Sequence, residues 1–181
     1  MLDPSDADLV RSAQKGNVSA IGELYDRYNE RIFKYVWIRV SNKRRAEDLT
    51  GEVFARMITH LHDYREMGIP FSSWLYRIAF NLVVDYYRKE KNRAPILPAH
   101  QAQLATQDDD PVVIVEHRLT VEKLQLALDK LDESQREVII LRFLVGLSLR
   151  EVAGGLDKTV AAVKSLQHRG LVALRLALVQ E

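Results

Sequence analysis

The sequence predicts an all-α protein: two small helical domains joined by an extended linker, the C-terminal one containing a helix-turn-helix. Apolar residues recur at steps of three and four along Ile21 to Val40, Ala46 to Leu61 and Trp74 to Tyr86, the spacing that lines up one face of a helix. Between residues 95 and 113 that pattern gives way to Pro95, Pro98, Pro111 and an acidic run, Asp108 to Asp110, the composition of a tether rather than a core. Beyond it a short helical stretch, a tight turn and a longer helical stretch follow in helix-turn-helix order. The expected domains are therefore residues 1–94 and 114–181.

The 181 residues are 47% hydrophobic and 28% charged, ordinary globular material that suffices for two small domains. Lys plus Arg total 26 against 25 Asp plus Glu, so partners must be inferred from where the charge sits. The absence of cysteine removes disulfides, thiolate zinc sites and redox thiols. The first ten residues lack a basic segment followed by an apolar run, and no stretch nears the roughly 20 apolar residues of a membrane span, so the expected location is cytoplasmic. No nucleophile–base pairing, metal cluster or phosphate-binding glycine loop stands out, which predicts a non-enzyme without a cofactor. His60 and His62 face different directions without a third ligand nearby, so no metal site is expected there.

In chain order, Ser5 and Asp6 cap a short helix that ends near Gly16, and Asn17 caps a longer one. The longer helix carries Leu24, Tyr25, Tyr28, Ile32, Tyr35 and Val36 toward a core and Glu23, Asp26, Arg27, Glu30 and Arg31 toward solvent. A basic turn, Lys43 to Arg45, leads into a third helix with Ala46, Leu49, Val53, Met57 and Leu61 inward. Glu47, Asp48 and Glu52 share its exposed side, where an acidic first turn complements the helix dipole. Gly68 and Pro70 bound the loop Asp63 to Pro70 that follows.

The stretch Phe71 to Arg93 reads as one long helix with two demands on its surface. Trp74, Leu75, Ile78, Ala79, Leu82 and Tyr86 form an apolar stripe. Arg77, Asn81, Asp85 and Arg88 form a polar ridge on another face, and Arg88, Lys89, Lys91 and Arg93 give it a cationic end. Aromatic groups beside hydrogen-bonding and cationic ones suit a nucleic-acid strand.

Helical periodicity resumes from about Val115 with Leu119, Leu124, Leu128 and Leu131. Asp132 with Gln135, and Ser148 with Glu151, read as capping boxes, and Gly146 closes the helix between them. A helix from Leu149 to Leu156, a turn from Asp157 to Thr159 and a helix from Val160 complete the helix-turn-helix. Val160 and Val163 are expected to pack inward, leaving Lys164, Ser165, Gln167, His168 and Arg169 for base edges and flanking phosphates, with Arg150, Lys158 and Thr159 at the flanking ends.

The wording FSSWLYRIAFNLVVDYYR in the first half, and LDESQREVIILRF, GLSLREVA and KTVAAVKSLQHRGLVALR in the second, resembles the two domains of the sigma-70 family of RNA polymerase sigma factors, in its extracytoplasmic-function (ECF) class. The resemblance covers all but the linker and the extreme termini. It implies that Glu47, Asp48, Leu49, Glu52 and Phe54 dock on core RNA polymerase. It implies that Tyr64, Arg65, Trp74, Arg77, Asn81, Asp85, Arg88, Lys89 and Lys91 meet melted promoter DNA at the downstream (minus 10) element, with Tyr64, Arg65 and Asn81 around a base turned out of the strand, whose extrusion costs a few kcal/mol. The C-terminal helix-turn-helix would read the upstream (minus 35) element. An anti-sigma factor is the implied inhibitory partner, and the acidic linker would thread the polymerase cleft.

Departures from the family pattern sharpen the reading. Gly51 replaces a usual glutamine on the docking helix, and Asp157 replaces a usual turn glycine, a substitution that the left-handed conformation tolerates in Asp. Gly154 and Gly155 stand in the first helix of the helix-turn-helix. At about 1 kcal/mol each relative to alanine, they predict a loosely held helix and weak upstream binding. Two other classes fit parts of the sequence: a helix-turn-helix regulator that acts without polymerase, and a structural helical adaptor, which leaves the ridge unexplained.

Overall fold

The computed structural model describes residues 4–91 and 123–179. The linker and Arg93 lie outside them, as do Val115 and Leu119.

α1 (Asp6–Gln14) starts at a capping box in which Ser5 and Asp8 satisfy each other's backbone. α2 (Val18–Val40) is capped by the Asn17 side chain and stops where Ser41 turns left-handed at φ 52°. α3 (Lys43–His60) begins three residues earlier than its apolar pattern suggested, because the Asn42 side chain accepts the Arg45 N–H at 3.0 Å. Lys43, Arg44 and Arg45 therefore form the first helical turn instead of a turn before it. That turn holds no acid, so dipole complementarity does not account for Glu47 and Asp48. α4 (Phe71–Lys91) matches the long helix within the described residues.

In the second half, α5 (residues 123–129) leads to α6 (Glu133–Ile139), a π-helical turn (Ile140–Leu144), α7 (Leu149–Gly155) and α8 (Val160–Val179). Asp132 caps α6 through the Ser134 N–H, and no reciprocal bond from Gln135 completes the expected box. The box between Ser148 and Glu151 is complete. Asp157 is left-handed at φ 55°, as its place in the turn requires, and Gly146, at φ 86°, closes the preceding helix. Val163 is fully buried, whereas Val160 is 39% exposed and does not pack inward.

α1 to α4 enclose a core in which Leu24, Ile32, Tyr35, Met57 and Leu75 are out of contact with water. α6 to α8 enclose Val138, Ile140, Leu147, Val152 and Val163. The two groups are not separate. α7 lies along α4, the π-helical turn touches α2, and the buried apolar residues run without interruption from one group into the other.

Close approach of α7 to α4 depends on Gly154 and leaves room for little more than a methyl group at Gly155. A Cβ on Gly154 would stand 2.7 Å from Ile69 Cγ2 and 2.9 Å from both Cβ and Oγ of Ser73, closer than side chains pack. On Gly155 the nearest atoms would be the Ser73 carbonyl oxygen at 3.4 Å and Tyr76 Cβ at 3.7 Å. The expected loosely held helix is thus a boxed, docked one, its glycines explained by tertiary contact that outweighs propensity.

Candidate polymerase and nucleic-acid interfaces

On α3, Ala46, Thr50, Val53, Phe54 and Met57 face the core, and this fixes Glu47, Asp48, Gly51 and Glu52 on the exposed side. Leu49 is half-buried at its edge. Glu52 pairs with Arg56 at 2.9 Å, an exposed i,i+4 pair that a competing partner displaces at little cost. Phe54 is only 4% exposed and meets the Tyr25 ring edge-on with centroids 4.7 Å apart. It supports the acidic face from beneath instead of forming part of it. Nothing within 4 Å surrounds a Cβ placed on Gly51, so this face is flat at its centre.

The loop before α4 is held from both sides. Gln14 donates to the carbonyls of Leu61 at 2.9 Å and Tyr64 at 2.8 Å. The Tyr64 ring packs with Phe71 and with Trp74, centroids 5.7 and 4.8 Å away. Tyr64 and Trp74 are half-buried, and burial raises the Tyr64 pKa above the usual phenol range. Arg65 is exposed but folds back, its guanidinium donating to the carbonyls of His62 at 2.9 Å and Tyr64 at 3.1 Å. Arg65 therefore has to swing out before it can meet a phosphate.

Along α4, Asn81, Arg88, Lys89 and Lys91 are exposed and Asp85 is half-buried. Arg88 pairs with Asp85 at 2.9 Å. Arg77 is turned elsewhere: it donates to the Gly154 carbonyl at 2.6 Å and stands 3.5 Å from Asp157 of the second helical group. The ridge inferred from spacing is real for three of its four members, and the fourth is engaged across the molecule.

In the helix-turn-helix, Lys158, Lys164, Ser165, His168 and Arg169 are exposed. Thr159 is exposed too, but its hydroxyl caps α8 by accepting the Ala162 N–H at 3.1 Å. Gln167 is half-buried and accepts from Arg142 Nε at 3.1 Å. That bond orients the amide, so its NH₂ is the group left to donate outward. Arg150 donates to the Gly68 carbonyl at 2.7 Å.

Sequence reasoning missed a buried polar cluster where the two helical groups meet. Arg39 lies on the inner stripe of α2 and Glu137 in the apolar run of α6; their side chains are 3% and 1% exposed. Arg39 Nε stands 3.1 Å from Glu137 Oε2, yet neither atom has a hydrogen-bond partner. The attraction there is of charge alone. Arg39 also bonds Glu133, and the Tyr35 hydroxyl donates to Glu137. Burial pushes the Glu137 carboxyl above its usual range despite the opposing pull of Arg39 and Tyr35. A charged residue on each of two apolar stripes was the available signal, because lone buried charges need partners.

Comparison with known proteins gives the family. The sigma-70 region 2 model matches residues 24–93 and the sigma-70 region 4 model residues 127–176. The chain is 33% identical over 157 residues to the ECF RNA polymerase sigma factor SigX of Bacillus subtilis, covering 84% of this chain and 80% of SigX. It is 31% identical over 177 residues to SigW of the same organism, covering 92% of each. This chain is a member of the sigma-70 family, in its ECF class. It is also 35% identical over 164 residues to the ECF sigma factor BldN of Streptomyces coelicolor, covering 91% of this chain but 62% of BldN. Among solved structures, CnrH in complex with the cytosolic domain of CnrY matches with a TM-score of 0.77 and 26% identity, over 98% of this chain and 99% of that one. The two sigma regions correspond to α2–α4 and to the helices from α5 onward. Among the described residues no helix is long and apolar enough to cross a membrane, and no group of three His, Asp or Glu is placed to hold a metal.

Proposed function

We propose that this chain directs core RNA polymerase to specific promoters and helps open them, and that it is not itself an enzyme. The observation that supports this best is the pair of family matches, region 2 then region 4 in that order, on two helical groups that each expose the surface the task needs. Residues 1–94 would dock on polymerase and hold the downstream element, 95–113 would serve as linker, and 114–181 would read the upstream element. Catalysis would stay with the polymerase, in the cytoplasm.

The division of labour follows from exposure. Glu47, Asp48 and Glu52 project together from a helix whose other side is locked into the core, a rigid acidic patch for a basic partner surface. Asn81, Arg88, Lys89 and Lys91 can meet a single strand, with Trp74 and Tyr64 as aromatic groups at the opposite end of α4. Lys164, Ser165, His168 and Arg169 are free on the outer face of α8 for duplex DNA. The solved complex of CnrH with CnrY supports an anti-sigma protein as a further partner.

The acidic patch distinguishes this function from that of a regulator working alone. A triple Glu47→Ala, Asp48→Ala, Glu52→Ala variant should keep its circular-dichroism spectrum and lose co-elution with core polymerase. Undiminished co-elution would remove the docking assignment.

A further inference from the structure

Three cations open α3 where a helix least favours them. Lys43, Arg44 and Arg45 are exposed and occupy the first turn of α3, the end at which unpaired backbone N–H groups and the macrodipole already place positive charge. No acid shares that turn. Glu47 and Asp48 stand four positions on from Lys43 and Arg44, yet among the described residues no carboxylate is paired with any of the three. The Asn42 side chain caps the helix through the Arg45 N–H at 3.0 Å, so α3 needs none of these side chains in order to start. Nothing in the fold accounts for this charge.

Packing sets a second cationic group beside the first. The Tyr87 hydroxyl donates to the Arg39 carbonyl, which ties the last turns of α4 to the end of α2, four residues before Lys43. Burial and the Glu90 carboxylate raise the Tyr86 phenol above its usual range and the Arg45 charge opposes them, so Arg45 lies within electrostatic reach of that ring. Arg88, Lys89 and Lys91 follow on the same end of α4, all exposed, and Arg88 pairs with Asp85 at 2.9 Å. Packed helices lie about 8–10 Å apart, so the two groups make two cationic rows at about that separation. Across the grooves of B-DNA, phosphate rows face each other at about 6 and 12 Å. A single strand offers only one such row.

We propose that Lys43, Arg44 and Arg45 form a backbone-binding site for duplex DNA, the second of two cationic rows whose first is the end of α4. While Asn81 and its neighbours on α4 hold a single strand, this row grips the duplex at the edge of the opened segment and supplies affinity that is blind to sequence. One helix then serves two partners in succession: its first turn meets DNA, and Glu47, Asp48 and Glu52 beyond it meet polymerase. This inference rests on the sigma-factor function proposed above.

The test uses the full chain bound to core polymerase. Its probes are fluorescent duplex fragments spanning the start sites that the wild-type complex selects in run-off transcription on a genomic pool. In the variant Lys43→Gln, Arg44→Gln, Arg45→Gln the slope of log affinity against log salt should fall by about 2.7, at about 0.9 per lost phosphate contact. Over a fourfold rise in salt, from about 50 to about 200 mM, wild type should therefore lose roughly 40-fold more affinity than the variant. The charge-conserving variant Lys43→Arg, Arg44→Lys, Arg45→Lys should keep the wild-type slope. An unchanged slope in a glutamine variant that still co-elutes with core polymerase would overturn the site. So would lost co-elution, which would assign the cations to polymerase docking, or a slope lost equally in the charge-conserving variant, which would assign them to the fold. Absence of transcripts from the wild-type complex would instead overturn the sigma-factor function, and this site with it.

Discussion

Replacing Arg39 with methionine probes the least expected feature of the contact between the two helical groups. The substitution keeps the stem's volume and removes the guanidinium that faces Glu137 at 3.1 Å and also bonds Glu133. Glu133 is half exposed and can turn to water, but the Glu137 side chain is 1% exposed and cannot. It keeps one partner, the Tyr35 hydroxyl. Stranding one member of a buried ion pair costs about 3–5 kcal/mol. For a chain of this size that is a fall in melting temperature of roughly 6–20 °C. Glu137→Leu should cost a similar amount, since it leaves the buried Arg39 with the outlying Glu133 as its one carboxylate, beside the Tyr87 ring. The double variant Arg39→Met, Glu137→Leu removes both desolvation penalties and fills the site with apolar atoms, so it should lie within about 2 kcal/mol of wild type. Urea unfolding followed by circular dichroism gives all four corners of the cycle. A double-variant loss equal to the sum of the single losses within about 0.5 kcal/mol, the range expected of sites that do not interact, would show that Arg39 and Glu137 are not coupled.

Other expectations follow from the same contacts. Gly154→Ala should lower stability or loosen the contact of α7 with α4, because the new methyl meets Ser73 and Ile69 at under 3 Å; its overpacking cost of about 1–3 kcal/mol exceeds the roughly 1 kcal/mol gained in propensity. Gly155→Ala, with 3.4 Å to its nearest neighbour, should be neutral or stabilising, and thermal melts of the two variants separate the cases. At Glu151 burial works to raise the pKa, but the Ser148 N–H and the Ser72 and Ser148 hydroxyls outweigh it and hold the carboxyl below its usual range. Stability from a depressed carboxyl is present above its unfolded pKa and is lost as pH falls through the folded one. The gap in stability between wild type and Glu151→Gln should therefore close as pH drops below about 4, and a gap that widens on acidification would contradict the assignment. Lys164→Ala with Arg169→Ala should reduce the salt dependence of duplex binding by about 0.9 per lost phosphate contact, measured by fluorescence anisotropy from low to moderate salt.

Much of this was legible because the sequence speaks plainly about single helices. Steps of three and four located α2, α3 and α4, and Ser5, Asn17, Ser148 and Gly146 marked their own boundaries through side-chain and left-handed caps that depend on neighbours only a few residues away. Exposure of Glu47, Asp48 and Glu52 followed from the same periodicity. Errors arose where the deciding partner is far along the chain. Gly154 and Gly155 look like helix weakeners until Ser73, about 80 residues earlier, is seen against them. Arg77 belongs to a ridge by spacing, but a carbonyl of α7 claims its guanidinium. Phe54 lies on the buried side because Tyr25 of another helix covers it. Arg39 and Glu137 find each other across 98 positions, a pairing that no local pattern encodes.

The central claim is that this chain gives polymerase its promoter choice. Run-off transcription with purified core polymerase on a pool of upstream genomic fragments, with and without the chain and with start sites sequenced, tests it most directly. Discrete new starts, each preceded by the same two elements at fixed spacing, are the expected result. No new starts, from a chain shown to be folded and mixed with active core polymerase, would contradict it.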